Sequence, residues 1–287
     1  MYSGTSTGRS GKDLYGTNPE LFSDLISTVN TESEKSAASF YNSLAEDYHL
    51  VYQDWNASIK RQAKVIDELL QSHLSNRPDR ILDCTCGIGT QALGLSELNY
   101  HVHGTDISSA SIQRAQEEAH KRALPVTFQV ADIRQLATEV PSQFDVIISF
   151  DNSLPHLKNP TDFLLALENV SAKLNSEGIF LGSTRDYDLL LKEKPTSTTP
   201  VISVVDGIKT ITFQLWEWQE NHTYIVDHFT LKGGNNEFET KVRKAEYAAF
   251  TRSEMSDLFT EAGFSKIEWL MPDESGFYQP IFIARPG

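Results

Sequence analysis

The sequence predicts an α/β fold, a doubly wound and mostly parallel sheet carrying a small antiparallel β lid as an insertion. Three observations lead there. From residue 80 onward short apolar strands alternate with amphipathic helices, the order that crossover connections impose on a parallel sheet. The first of these strands runs straight into a glycine turn, ILDCTCGIGT, that opens toward a helix. After Pro200 the alternation stops, and four β-rich segments follow with no helix between them.

The elements follow in order. Residues 1–36 are rich in Ser, Thr, Gly and Asn with little periodicity and read as a flexible arm, with one short helix around residues 19–29. Ile59, Ala63, Ile66, Leu70 and Leu74 recur at spacings of four and three, an amphipathic helix closed by the break at residues 76–78. Strands are expected over Arg80–Asp83, His101–Asp106 and residues 126–130, 144–150 and 178–184. Between them a helix over residues 109–122 buries Ile112, Ala115 and Ala119. Another starts at Asn159-Pro160, a capping side chain followed by a pre-set φ, and buries Phe163, Leu167, Val170 and Leu174. Val201–Val205 and residues 209–218, 223–231 and 238–250 form the antiparallel unit, with turns at Asp206-Gly207 and Gly233-Gly234. Thr251-x-x-Glu254 is a capping box opening a helix that Gly263 stops, and strands over 265–271 and 277–284 follow. The expected organisation is an arm (1–36), a core (37–194 and 251–287) and a lid insertion (195–250).

Composition narrows the function classes. The 287 residues carry 25 Lys and Arg against 39 Asp and Glu, a formal charge of -14, with no segregated basic cluster. Such a chain repels a nucleic-acid backbone and an anionic membrane surface alike. Neither a signal-peptide core nor a run near the roughly 18 apolar residues of a membrane span is visible, so a cytoplasmic protein is expected. Cys84 and Cys86, the only cysteines, are too close for an ordinary disulfide framework, and no Cys or His pair completes a zinc site; no metal is expected. A homo-oligomer is compatible with the chain, since the arm could exchange between subunits.

Three successive strand ends carry nucleoside-binding chemistry. Gly87 and Gly89 let the backbone approach a ligand where a Cβ would collide. Asp106, ending the second strand, is placed to accept from a ribose diol, and Asp132, after the third, to meet an adenine edge. Gly87-x-Gly89-x-x-Ala92 with Asp106 downstream also fits a dinucleotide fingerprint. Against that reading, Asp83 at the first strand end would repel a pyrophosphate but could hold a cationic amino-acid moiety.

ILDCTCGIG resembles the first motif of class I S-adenosylmethionine-dependent methyltransferases, with Thr85 in place of its first glycine. The resemblance covers roughly residues 40–284 and implies a Rossmann-like core and S-adenosylmethionine as cofactor. It places Asp83 and Gly87 at the methionine end, Asp106 at the ribose, and Asp132 and Ile133 at the adenine, with Thr85, Gly89 and Ile107 among the cofactor-binding residues.

FDVIISFDNSLPHL brings Phe150, Asp151, Asn152, Ser153 and His156 to the crevice beside the donor, and STRDYDLLL brings Arg185 and Tyr187. Asn152 and Asp151 can orient a nucleophile or move its proton, and Arg185 can clamp a carboxylate. The competing reading makes Arg185 a surface partner of Asp186 or Asp188. Asn152-Ser153-Leu154-Pro155-His156 and Arg185-Asp186-Tyr187-Asp188 resemble runs of glycine and sarcosine N-methyltransferases. FYNSLAEDYHLVYQDW followed by Arg61 resembles their cofactor-covering segment. That resemblance implies that Tyr41, Trp55 and Arg61 close over the donor and bind its carboxylate, that His156 contacts the cofactor or holds its loop, and that Tyr247 is a lid tyrosine. Asp151 stands where those enzymes usually have Gly, and a carboxylate there would crowd glycine. The expected reaction is methyl transfer to a small acceptor, an amino acid or similar amine. O-methylation of an acid or phenol and a non-catalytic adenosyl-binding module are the alternatives.

Overall fold

The computed structural model describes residues 31–32, 36–205, 207–234 and 237–287; the helix expected near residues 19–29 lies outside them. The chain passes through strand β1 (Thr31–Glu32), helix α1 (Ala37–Leu44), a 3₁₀ turn (Tyr48–Val51) and helix α2 (Trp55–His73). Capping side chains set both helix starts: Ser36 accepts from the Ser39 amide and Asp54 from the Ala57 amide. There follow β2 (Arg80–Asp83), α3 (Thr90–Glu97), β3 (His101–Asp106), α4 (Ser109–Lys121), β4 (Thr127–Val130), α5 (Leu136–Glu139), β5 (Phe144–Ser149), α6 (Pro160–Lys173) and β6 (Leu174–Ser183).

These strands make a seven-stranded sheet in the order β11-β12-β6-β5-β2-β3-β4, where β11 (Phe264–Leu270) and β12 (Ile281–Pro286) close the chain. All pairs are parallel except β11–β12 and β12–β6. The order in which strands are added reverses between β2 and β5, which opens the crevice where such sheets bind ligands. One apolar layer packs α2, α3 and α4 on one face through Ile59, Ile66, Leu93 and Ile148; the other packs α6 through Phe163, Leu167 and Val170. The last strand starts later than the sequence suggests, because Pro272–Ser275 forms a short helix and Gly276 at φ +70 turns the chain back.

Helix α7 (Tyr187–Glu193) leads into β7 (Val201–Val205), β8 (Ile208–Trp218), β9 (Thr223–Gly234) and β10 (Glu237–Ala248), a meander whose free edge on β10 takes β1 in parallel. Strict alternation along β9 buries Tyr224, Val226, His228 and Thr230 on one face. Trp216, Tyr224, Val226, Ala245 and Tyr247 of that face pack on Phe40 and Leu44 of α1 and on Tyr187. Helix α8 (Arg252–Glu261) begins at the capping box formed by Thr251 and Glu254. Among the described residues no helix is long and apolar enough to cross a membrane.

Candidate active site

Two cavities meet at the strand ends, and Tyr41, Tyr48 and Asp151 line both. The smaller, about 270 Å³, runs along residues 84–87, Asp106, Ile107, Ala131, Asp132, Ile133, Phe150 and His156 under a roof of Ala37, Ala38 and Tyr41. Its turn leaves β2 with the Cys84 amide still paired to the Ile148 carbonyl, and the Thr85 hydroxyl bonds that of Ser149 at 2.8 Å. The threonine that departs from the usual motif therefore ties the turn to β5. Gly87 sits at φ +52, and no heavy atom lies within 4 Å of where its Cβ would stand, so the space before the turn is an open cradle. Asp106 holds the turn in place: one carboxylate oxygen accepts from the Gly87 amide and the other from the Ser108 amide, both at 2.8 Å. Each oxygen keeps a lone pair for a diol. Burial raises the Asp106 pKa, and the two amide donors partly offset it.

The roof is pinned by a residue that the sequence motifs do not mark. Asn42 Oδ1 accepts from the Ser108 hydroxyl at 2.8 Å and from the Ala110 amide at 3.1 Å, fastening α1 to the start of α4. At the other wall Tyr41 Oη lies 2.8 Å from His156 Nε2, and the His156 ring rests 4.1 Å from that of Tyr247. Burial, then Arg185 and Lys158, push the His156 pKa down to about 3, so the imidazole is neutral. Asp132 binds Arg134 through both oxygens; burial opposes its charge, but these hydrogen bonds win and hold its pKa below the usual range.

The larger cavity, about 940 Å³, lies between the core and the inner face of the lid sheet. Asp151 stands at its junction with the first. Its carboxylate accepts from the Tyr52 hydroxyl at 2.6 Å, from Gln91 Nε2 at 2.9 Å and from the Tyr278 hydroxyl. Asp151 and Asn152 both have positive φ, +57 and +65. This left-handed pair turns the loop sharply after β5 and explains why a glycine suits the first position; Asp and Asn are the side chains that tolerate it best. Asn152 Oδ1 is spent on Thr184, the Arg185 amide and the Tyr187 hydroxyl at 3.0–3.1 Å, while its buried Nδ2 has no partner. The amide therefore has only its donor left to offer.

Arg185 lies deep in the molecule with its free surface on the cavity wall. Its guanidinium is 4.5 Å from the Trp216 ring centre and 5.4 Å from that of Tyr247, and it donates to the Tyr224 hydroxyl and to Gln214 Oε1. Asp186 and Asp188 both bind Arg252 instead, so the surface-pair reading of Arg185 fails. Tyr187 is fully buried behind Asn152 and supports the loop without lining either cavity.

A family profile described as "Methyltransferase domain" matches residues 81–178, the stretch that builds the smaller cavity. The glycine/sarcosine N-methyltransferase of Halorhodospira halochloris is 26% identical over 187 residues, 62% of this chain and 69% of that one. The corresponding enzyme of Parasynechococcus marenigrum is 31% identical over 139 residues, 48% of each chain. Against these curated relatives the chain spans between about half and two thirds of their length. In structure, an amino pentose methyltransferase from Micromonospora echinaspora, solved with S-adenosylmethionine, superposes with a TM-score of 0.66 at 16% identity, covering 84% of this chain and 95% of that one. The chain carries a class I methyltransferase domain.

S-adenosylmethionine is the cofactor of this class, and the residues of the methyltransferase cavity fit it. The fit rests on the Gly87 cradle and the free lone pairs of Asp106; Asp83 lines neither cavity and acts on the site only by its charge. This residue is 1% exposed behind the turn, with one carboxylate oxygen lacking any partner. Burial and then the Asp106 charge push its pKa well up, a burden that a cationic ligand in front relieves and a pyrophosphate worsens. Asp106 would hold the ribose, with Ile107, Ile133 and Phe150 lining the apolar faces around it.

Besides Asp83, three sequence-nominated donor contacts sit elsewhere. Trp55, at the first position of α2, points into the core and donates to the Thr90 hydroxyl at 2.9 Å; it lines neither cavity. Arg61 lies on the larger cavity and bonds the Ser58 hydroxyl at 2.7 Å. Gly89, at φ +91, shapes the start of α3 from behind the wall. Tyr52, Gln91 and Tyr278 escape a reading of motifs, because each lies 60 or more residues from the aspartate that gathers them.

Proposed function

We propose that this methyltransferase transfers a methyl group to the amine of a small molecule that also bears a carboxylate, an amino acid or a similar metabolite. The observation that carries the reading is Arg185. It is a guanidinium held between aromatic rings on the cavity wall, and none of its partners among the described residues is a carboxylate. A cation in such surroundings is costly until an anion meets it, and a guanidinium pairs with a carboxylate in bidentate fashion. The names of the two glycine/sarcosine relatives agree with such an acceptor.

S-adenosylmethionine supplies an activated methyl group on a positively charged sulfur. The protein's part is alignment and dehydration, and well-oriented reactants can recover roughly 7–11 kcal/mol of a barrier. Arg185 anchors the acceptor's carboxylate. Asn152 Nδ2 donates to one of the acceptor's oxygens. Asp151 sits where the two cavities join, receives the ammonium group, and takes its proton on a carboxylate oxygen so that the amine attacks in neutral form. Tyr52 and Tyr278 stay protonated, since burial and then the Asp151 charge raise both phenol pKa values, and they hold the carboxylate in position.

The test is production of S-adenosylhomocysteine from a panel of amino acids and amines by the wild type and by Arg185→Ala. The variant is expected to raise the KM of carboxylate-bearing acceptors about a hundredfold, the weight of a charged hydrogen-bonded pair, and to leave S-adenosylhomocysteine affinity unchanged. An unaltered KM for a good acceptor would refute the anchor.

A further inference from the structure

The larger cavity ends on a group that the anchor does not use. On the inner face of the lid sheet one cross-strand row reads Gln214, His228, Arg243 over β8, β9 and β10. His228 lines the cavity and is only 2% exposed, yet neither ring nitrogen has a hydrogen-bond partner among the described residues. Its cross-strand neighbours bond other groups. Arg243 donates to Asp47 at 2.7 Å, to the Ser43 carbonyl at 3.0 Å and to the Thr230 hydroxyl. Gln214 Oε1 accepts from Arg185 and from the Trp216 indole. Two unpaired ring nitrogens on the wall of a binding cavity are expensive in a finished fold, where buried polar groups are nearly always satisfied.

The ring's chemistry says what it awaits. Burial, then the charge of Arg243, push the His228 pKa down to about 4, overriding Asp47, so the imidazole is neutral. A neutral imidazole offers one N–H donor and one bare acceptor nitrogen. A carboxylate satisfies only the donor and an ammonium only the acceptor. Hydroxyl groups satisfy both, since each can give and take. On the other side of Gln214 from the ring, the Thr198 hydroxyl accepts from the Gln214 amide and keeps its own proton to donate into the same cavity. Gln214 also touches Arg185, so this end lies roughly 5 Å, one cross-strand neighbour, beyond the carboxylate anchor.

We infer that His228, with Thr198 and Gln214, forms a hydroxyl-recognition subsite that selects acceptors bearing neutral hydroxyl groups beyond their carboxylate over the corresponding deoxy compounds. This rests on the reading of Arg185 as the carboxylate anchor, and it assigns the space in a cavity of about 940 Å³ that glycine would leave empty.

A matched pair tests it: 2-amino-2-deoxygluconate and norleucine are six-carbon α-amino acids that differ only in hydroxylation. Binding of each to the protein saturated with S-adenosylhomocysteine is measured by calorimetry for the wild type, His228→Phe, His228→Asn and Arg185→Ala. The wild type is expected to bind the hydroxylated member at least about tenfold more tightly, the usual weight of a polar group left unpaired. Both His228 variants should weaken that member alone and bring the pair within about twofold; the shorter Asn decides the matter if the Phe variant does not fold. Equal wild-type affinities, or a preference that survives both substitutions, overturn the subsite and leave the anchor standing. Normal binding of both compounds by Arg185→Ala overturns the anchor while the His228 comparison is still read. If neither amino acid binds, the anchor has failed, and glucosamine against cyclohexylamine reads the subsite alone: equal affinities, or equal absence of binding, overturn it.

Discussion

The smaller cavity takes its wall from successive strand ends in the order the chain meets them: residues 84–87 after β2, Asp106 and Ile107 at β3, residues 131–134 after β4, and Phe150 to His156 after β5. The larger cavity gathers Tyr52, Asp151, Arg185 and Tyr278 from four separate loops, and Gln214 and His228 from two strands of the lid sheet. The first is held by backbone amides and tight turns, as Gly87 and Ser108 on Asp106 illustrate. The second is held by side chains, some within the core, as Tyr52, Gln91 and Tyr278 on Asp151, and some between core and lid, as Tyr224 and Gln214 on Arg185. Backbone-built sites are expected to survive changes in the lid, and side-chain-built sites to fail with it.

The strongest way to break that contrast is to loosen the lid. Asp47 and Arg243 form an ion pair of 2.7 Å in which both side chains are at least nine-tenths buried, tying the 3₁₀ turn to β10. Asp47→Ala leaves the guanidinium without its carboxylate and should cost about 3–5 kcal/mol; denaturant unfolding measures the loss. Acceptor turnover should suffer far more than S-adenosylhomocysteine affinity. Equal damage to both would mean that the two sites are not built independently.

The converse substitution is Asp106→Ala, which removes the carboxylate expected to hold the diol and the anchor of the Gly87 turn. Calorimetry should find S-adenosylhomocysteine binding weakened by about 2–4 kcal/mol, the weight of one or two hydrogen bonds to a charged group. Protein stability should change less, since burial has already raised the pKa of this carboxyl.

The gentlest probe is pH. In the folded protein His228 is neutral down to about pH 4, whereas an unfolded histidine takes up a proton below about 6.5. Its contribution is thus intact above pH 6.5 and is lost as the pH falls toward 4, at up to about 1.4 kcal/mol per pH unit. The stability of the wild type minus that of His228→Asn should fall over that window and stay flat above pH 7. A flat difference throughout would mean that the ring is protonated or solvated in the folded state.

The two regions also differ in how far they can be read from the chain. Asp83, Gly87, Asp106 and Asp132 were legible because a strand end followed by a turn is a local pattern, and the crossover rule alone brings such ends together. The left-handed Asp151-Asn152 pair could be suspected from the glycine usual at that place. The three donors on Asp151 could not, and neither could the unpaired state of Arg185, for which Asp186 and Asp188 stood ready one and three residues away. What removed them was Arg252, brought to both from 66 and 64 residues further along. Trp55 shows the opposite error: its neighbourhood suggested a cofactor cover, but the Asp54 cap starts the helix so that the indole enters the core. A histidine on the inward face of an alternating strand was the one signal at hand for His228.

Taken alone, the amino-acid sequence determined the order of strands and helices, the parallel sheet and the chemistry at its strand ends, because periodicity, caps and turns act over a few residues. Which charges stay unpaired, which side chains meet across the larger cavity, and which imidazole is left without a partner were decided only by the tertiary packing of loops, core and lid sheet. Those outcomes depend on contacts between residues tens to two hundred positions apart, and no local pattern records them.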